Sequence, residues 1–169
     1  MAFSEQAFDT LFTDWFGKLY TYAFSVLQDA SAAEEAVQSV FGKIWEKRVQ
    51  LDVHTTLKAY LYGSVYHECM NALRHEQRKR AHRRHALYSA QRVISDAHIK
   101  SEMGELEMRL KQAIEELPDR CRAIFQLSRF GELKYREIAE QLDLSVKTVE
   151  VQIAKALKHL RLKLADFLA

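Results

Sequence analysis

The stretch "YREIAEQLDLSVKTVEVQI", Tyr135 to Ile153, decides how the rest of the chain is read. Ile138 and Leu142 are four apart and share one helix face. Ala139 is small, as a close crossing by a second helix requires. Asp143 falls where the turn favours a positive φ, a region Asp tolerates better than most residues. Leu144 plugs the turn, and the Ser145 hydroxyl suits an orphan amide proton of the following helix. The pattern predicts a helix-turn-helix. At about 100° per residue, Val149, Ile153, Ala156 and Leu160 fall in one inward arc. Lys147, Val151, Lys155 and Lys158 fall outside it, flanked by Thr148 and Gln152. A solvated basic helix would show the same charges. The small Ala, the plugged turn, the cap and the basic face together favour DNA. Ser145, Lys147, Thr148, Val151 and Gln152 are expected near base edges, and Lys155 and Lys158 on phosphates.

Outward from this motif, the 169-residue chain holds one Pro and five Gly, and long segments carry helical period, so the expected fold is all-α. Phe8, Leu11, Phe12, Trp15, Phe16, Leu19 and Ala23 mark a first helix. Ser31 with Glu34 reads as a capping box opening a second, Ala32 to Lys47. A third starts near Thr55 or Thr56 and runs to about Arg80. Charge is unevenly spread. Residues 74–100 hold 8 Lys/Arg against 2 Asp/Glu and four of the seven His, while residues 145–169 hold 5 against 2. Both basic blocks follow more acidic helical segments, the footprint of a phosphate-binding protein. The expected organisation is two small helical domains, 1–81 and 104–169, joined by a basic tether, 82–103. In the second domain Pro118 stops one helix and Gly131 ends the next.

The third helix carries a second candidate surface. Leu57, Leu61, Val65, Cys69 and Ala72 make its apolar arc; Thr56, Tyr60, Gly63, His67, Asn71, Arg74 and Arg78 lie opposite. An aromatic, an amide, an imidazole and guanidinium groups in one stripe suit stacking on unpaired bases with phosphate contact.

Taken together, the two halves resemble RNA polymerase sigma factors of the small, extracytoplasmic-function (ECF) type, from about Phe8 to Leu164. "AAEEAVQSVFGKIWEK" resembles that family's core-binding helix, and "LKAYLYGSVYHECMNALRHEQRK" its helix for the minus-ten promoter element. "LPDRCRAIFQLSRFGELKYREIAEQLDLSVKTVEVQIAKALKHLR" is similar to its minus-thirty-five domain, in a form associated with Bacteroidetes members. The resemblance implies that residues 1–81 are sigma domain two and 104–169 sigma domain four. It implies that Glu35, Gln38, Phe41 and Trp45 lie on or support the surface docking core polymerase. It gives Tyr60, His67, Asn71, Arg74 and Arg78 to the minus-ten element, and Ser145, Lys147, Thr148, Val151, Gln152, Lys155 and Lys158 to the minus-thirty-five element. His67 stands where the family commonly has Asn, Ser39 where an acid is frequent, and Gln152 where Arg or His is frequent. Implied partners are core RNA polymerase, promoter DNA and an anti-sigma factor, with no small-molecule substrate, cofactor or metal.

One alternative is a stand-alone helix-turn-helix regulator with an N-terminal sensor or dimerisation domain. An enzyme is disfavoured. His82 and His85 are three apart, with His75 and His98 nearby, but no acid at matching spacing completes a metal site. A nucleophile elbow, a Gly-rich phosphate loop and a Cys-x-x-Cys pair are missing from the sequence. Cys69 and Cys121 sit among apolar residues and read as buried, reduced thiols. The acidic N-terminus is unlike a signal peptide, and there is no run of 18 apolar residues, so the expected location is the cytoplasm without membrane insertion.

Overall fold

A computed structural model describes residues 3–49, 52–84 and 104–168, and these are helical, without a strand among them. The first module holds α1 (Glu5–Leu27), α2 (Ala30–Glu46) and α3 (Leu57–Arg84). The second holds α4 (Glu105–Glu115), α5 (Asp119–Phe130), α6 (Tyr135–Leu142), α7 (Val146–Lys163) and the single turn α8 (Ala165–Leu168).

Local chemistry sets the boundaries. The Ser4 hydroxyl accepts from the Ala7 amide, and Thr56 does the same for Ala59. The expected capping box at Ser31 is corrected: α2 starts earlier, at Ala30, because the Asp29 carboxylate accepts from the Ala32 amide at 2.8 Å. An Asp one helical turn from the end of α1 thus outcompetes the Ser inside the helix. Gly131 closes α5 with φ −76°, and the left-handed residue is Glu132, at φ 49°. Gly is required at 131 for closeness: a Cβ there would meet the Leu127 carbonyl oxygen at 2.6 Å. Residues 82–84 of the expected tether belong to α3, and 85–103 lie outside the described residues.

The sequence left the arrangement of the two modules open. In the structure they close on one another, and one hydrophobic core runs through both. Leu19, Val26, Val37, Ile44, Leu61 and Val65 continue into Ile124, Leu127, Ile138 and Val149. α5 lies against α1 and α3, and α6 lies on α3. The expected two-sided reading of α3 is therefore incomplete. Leu57, assigned to the apolar arc, is exposed, while Gly63, assigned to the outer stripe, is buried with Tyr62 and Tyr66. Both Cys69 and Cys121 are buried, free thiols.

Four polar contacts stitch the seam. The Tyr22 hydroxyl donates to the Ala123 carbonyl (3.1 Å), and Tyr62 donates to the Phe130 carbonyl (3.3 Å). Burial pushes both phenols above their ordinary range, which keeps them neutral donors. The Gln141 amide donates to Thr55 Oγ1 at 2.6 Å. Arg122, 7% exposed, spends all five N–H groups. Nε and one terminal nitrogen donate to the Val26 carbonyl at the end of α1 (3.2 and 3.0 Å). The other terminal nitrogen takes the Glu115 and Leu117 carbonyls, and Asp119 takes the last proton. A cation at the carboxyl ends of α1 and α4 satisfies their orphan carbonyls and meets their negative dipole ends.

Candidate nucleic-acid and polymerase interface

The helix-turn-helix forms as its sequence predicts. Asp143 adopts φ 52°, ψ 49°, so α6 ends in a left-handed residue and the Leu144 amide returns to the Ala139 carbonyl. The Ser145 hydroxyl accepts from the Thr148 amide (3.0 Å) and pairs with the Thr148 hydroxyl (2.8 Å). Both side chains are thus engaged in the cap. Val149, Ile153, Ala156 and Leu160 are buried. Lys147, Val151, Lys155 and Lys158 are exposed, and Thr148 and Gln152 are half-buried. Lys147 sits 3.7 Å from Glu150, whereas neither Lys155 nor Lys158 has a carboxylate partner among the described residues. Val151, 52% exposed, is an apolar group on a recognition face, suited to a thymine methyl. Lys163 is held inside the module by Glu116 (2.8 Å), and that hydrogen bond keeps the Glu116 carboxyl below its ordinary range.

On α3, His67, Asn71, Arg74 and Arg78 form one exposed line, and Tyr60 shares that face but is half-buried against the core. Arg74 donates to the Asn71 side-chain oxygen at 3.2 Å, which orients both. His67 Nε2 donates to the Gln141 carbonyl at 3.2 Å. The structure thus brings the α3 residues together on one strip, yet α6 occupies part of it.

On α2, Glu35 and Gln38 are exposed, with Gln38 donating to Glu34. Phe41 is 2% exposed and supports the surface from beneath, edge-on to Phe8 and Phe12. Trp45 is half-buried, 5.0 Å from Phe8, with the Arg48 guanidinium 4.2 Å over its ring. Glu5, Phe8, Asp9 and Phe12 of α1 join Gln38, Phe41, Gly42 and Trp45 around a groove of about 410 Å³. The α1 contribution was missed in the sequence because its aromatic excess reads as core; Phe12 is in fact 38% exposed. Ser39 donates to Glu68, which also pairs with Lys43, so α3 supplies the acid that position 39 lacks. Among the described residues no cluster of three metal-ligating side chains occurs and no helix is long and apolar enough to cross a membrane. His85 and His98 lie outside the described residues.

A helix-turn-helix with a basic outer face, joined to a second helical module with a polar-basic strip, defines a two-module DNA-binding protein. Comparison with known proteins narrows this. Residues 11–79 match the family described as Sigma-70 region 2, and residues 107–160 match Sigma-70, region 4. The ECF RNA polymerase sigma factor RpoE of Cereibacter sphaeroides is 27% identical over 158 residues, covering 93% of this chain and 86% of that protein. The ECF RNA polymerase sigma factor SigK of Mycobacterium tuberculosis is 22% identical over 161 residues, covering 93% and 85%. Among solved structures, the sigma factor RpoE of Bartonella quintana, in complex with the anti-sigma factor NepR, superposes with a TM-score of 0.71 at 20% identity, covering 94% of this chain and 96% of that one. CnrH, in complex with the cytosolic domain of CnrY, gives 0.68 at 20% identity, covering 96% and 90%. The chain belongs to the sigma-70 family and is a sigma factor of the ECF type. It is a promoter-recognising, non-catalytic subunit of transcription initiation rather than a stand-alone regulator.

Proposed function

We propose a division of this activity among the named residues. Residues 104–169 act as domain four: Lys147, Thr148, Val151 and Gln152 meet minus-thirty-five base edges, Ser145 presets the helix start, and Lys155 and Lys158 neutralise phosphates. Residues 1–81 act as domain two: Tyr60, His67, Asn71, Arg74 and Arg78 hold the opened minus-ten strand. Glu35, Gln38 and Trp45, supported by Phe41 and joined by the α1 rim of the groove, dock core polymerase. The observation that carries this reading is the pair of exposed, carboxylate-poor strips on α3 and α7, one on each module. Separating base pairs costs stacking energy, and a polar-aromatic face that traps a splayed base offsets part of it. The tether, 82–103, spans at most about 75 Å when extended. That accommodates elements about one and a half to two helical turns apart, about 50–70 Å.

The sequence form "LSRFGELKYREIAE" supports a Bacteroidetes-like subgroup. The solved relatives in complex with NepR and CnrY support an anti-sigma partner for this chain, and family membership supports a cytoplasmic location. Run-off transcription with purified core polymerase on a promoter library tests the whole reading. Specific transcripts that depend on this protein are expected; absence of any affinity for core polymerase would overturn it.

A further inference from the structure

We propose that the closed packing of the two modules is an autoinhibited resting state, in which α6 covers the strand-binding strip of α3 and must leave before the promoter is engaged. This rests on the assignment of the α3 strip to the minus-ten strand.

Three observations carry it. First, α6 sits on the strip itself. His67, in the middle of the proposed strand-binding line, gives its ring N–H to the Gln141 carbonyl. Gly63, one turn earlier on the same face, is buried, and a Cβ there would lie 2.9 Å from Gln141 Cβ. A base stacking along α3 at this level would occupy the space that Gln141 fills. Second, the sequence accommodates this closure at a cost to the helix. A glycine in a helix interior is destabilising relative to Ala. Gly63 lies inside the long helix α3, and the neighbour that excludes a side chain is Gln141 of the other module, not a residue of its own. The glycine thus serves the interface. Third, the closed form cannot span a promoter. α6 touches both α3 and α7. With helices packing about 8–10 Å apart, the axes of α3 and α7 lie about 20 Å apart near α6. The two promoter elements, about 50–70 Å apart, cannot both be reached from that geometry.

The seam has the character of a reversible latch. Its polar contacts use neutral phenols and amides, plus one exposed ion pair, Lys58 with Glu132 at 3.7 Å. The face of α7 that carries Lys155 and Lys158 stays exposed, so closure silences one promoter contact and leaves the other available. When only a fraction of molecules is open, apparent affinity falls by that fraction. Opening the latch therefore strengthens single-strand binding without any new contact.

The test opens the seam from each side in the full-length protein, with Gly63→Leu on α3 and, separately, Gln141→Trp on α6. Neither residue is assigned a role in DNA or polymerase binding. Small-angle scattering reads closure: wild type is expected near the roughly 15–16 Å radius of gyration of a compact chain this long. Both variants are expected at least about 5 Å larger. Fluorescence anisotropy with a labelled 20-nucleotide single-stranded DNA pool of mixed sequence reads the strip. Apparent affinity is expected to rise about fivefold or more in both variants, as for a resting state about 80% or more closed. Circular dichroism verifies that each variant is folded. An extended wild type would overturn the resting state while leaving the strand-binding assignment intact. Folded, extended variants with unchanged affinity would overturn occlusion. In that case Asn71→Ala with Arg74→Ala, added to the open variant, separates the two ideas. Weakened binding means that only the autoinhibition has failed, and unchanged binding means that the strip assignment has failed with it.

Discussion

Arg122→Met removes the one side chain that joins three backbone carbonyls from both modules. The guanidinium makes five hydrogen bonds, and Met matches its stem but donates nothing. The Val26, Glu115 and Leu117 carbonyls lose their cationic donor. An acceptor stranded in the interior costs about 1–3 kcal/mol. Relief from holding a charge at 7% exposure offsets part of the sum. The expected loss is about 3–5 kcal/mol, similar to breaking a buried charge pair. With a urea slope of about 2 kcal/mol per molar, the midpoint falls by about 1.5–2.5 M. Both tryptophans, Trp15 and Trp45, lie in the first module, so fluorescence follows that module alone, whereas far-ultraviolet dichroism follows both. A shared core makes the two wild-type transitions coincide. In Arg122→Met the dichroism transition moves first and the two separate. Arg122→Lys keeps the charge but loses the planar fork, and falls between. A loss below about 1 kcal/mol with coincident transitions would refute the account of Arg122 as the joint between α1 and the α4–α5 corner.

Four further outcomes are expected. Lys155→Ala with Lys158→Ala lowers the slope of log affinity against log salt for promoter duplex by about 2; an unchanged slope argues against phosphate contacts on that face. Trp45→Ala stays folded and loses core-polymerase affinity in a pull-down, because the half-buried ring contributes about 1–3 kcal/mol rather than the larger value of full burial. Burial pushes the Cys69 thiol up to about 12, so Cys69 resists a thiol-specific reagent at pH 8 until the protein unfolds, as mass spectrometry of labelled peptides would record. The Glu116 carboxyl is held below its ordinary range, chiefly by its hydrogen bond from Lys163. Its stabilising effect is therefore present above the unfolded Glu value and is lost as pH falls through the lower folded one; Glu116→Gln flattens that acid limb in pH-dependent melting.

Much of the fold and site was legible because it depends on short-range spacing. The turn at Asp143, the cap at Ser145 and the inward arc of α7 follow from residues within about two helical turns. The exposed line of His67, Asn71, Arg74 and Arg78 follows from periodicity in the same way. What escaped involves residues far apart in the chain. Glu68 serving Ser39, the α1 rim of the aromatic groove, and the burial of Gly63 each depend on a partner in another helix. The correction at Ser31 is a local miss: two cap candidates lay two residues apart, and the hydrogen bond formed at Asp29.

By itself the sequence determined an all-helical chain with a helix-turn-helix, a basic recognition face and a strand-binding strip, since each is encoded by the repeat of side chains along a single helix. Only the tertiary structure decided that the two modules share a core, that Arg122 joins them, and that α6 rests on α3 over Gly63. Periodicity identifies which face of a helix is apolar or small, but not which distant surface will cover it.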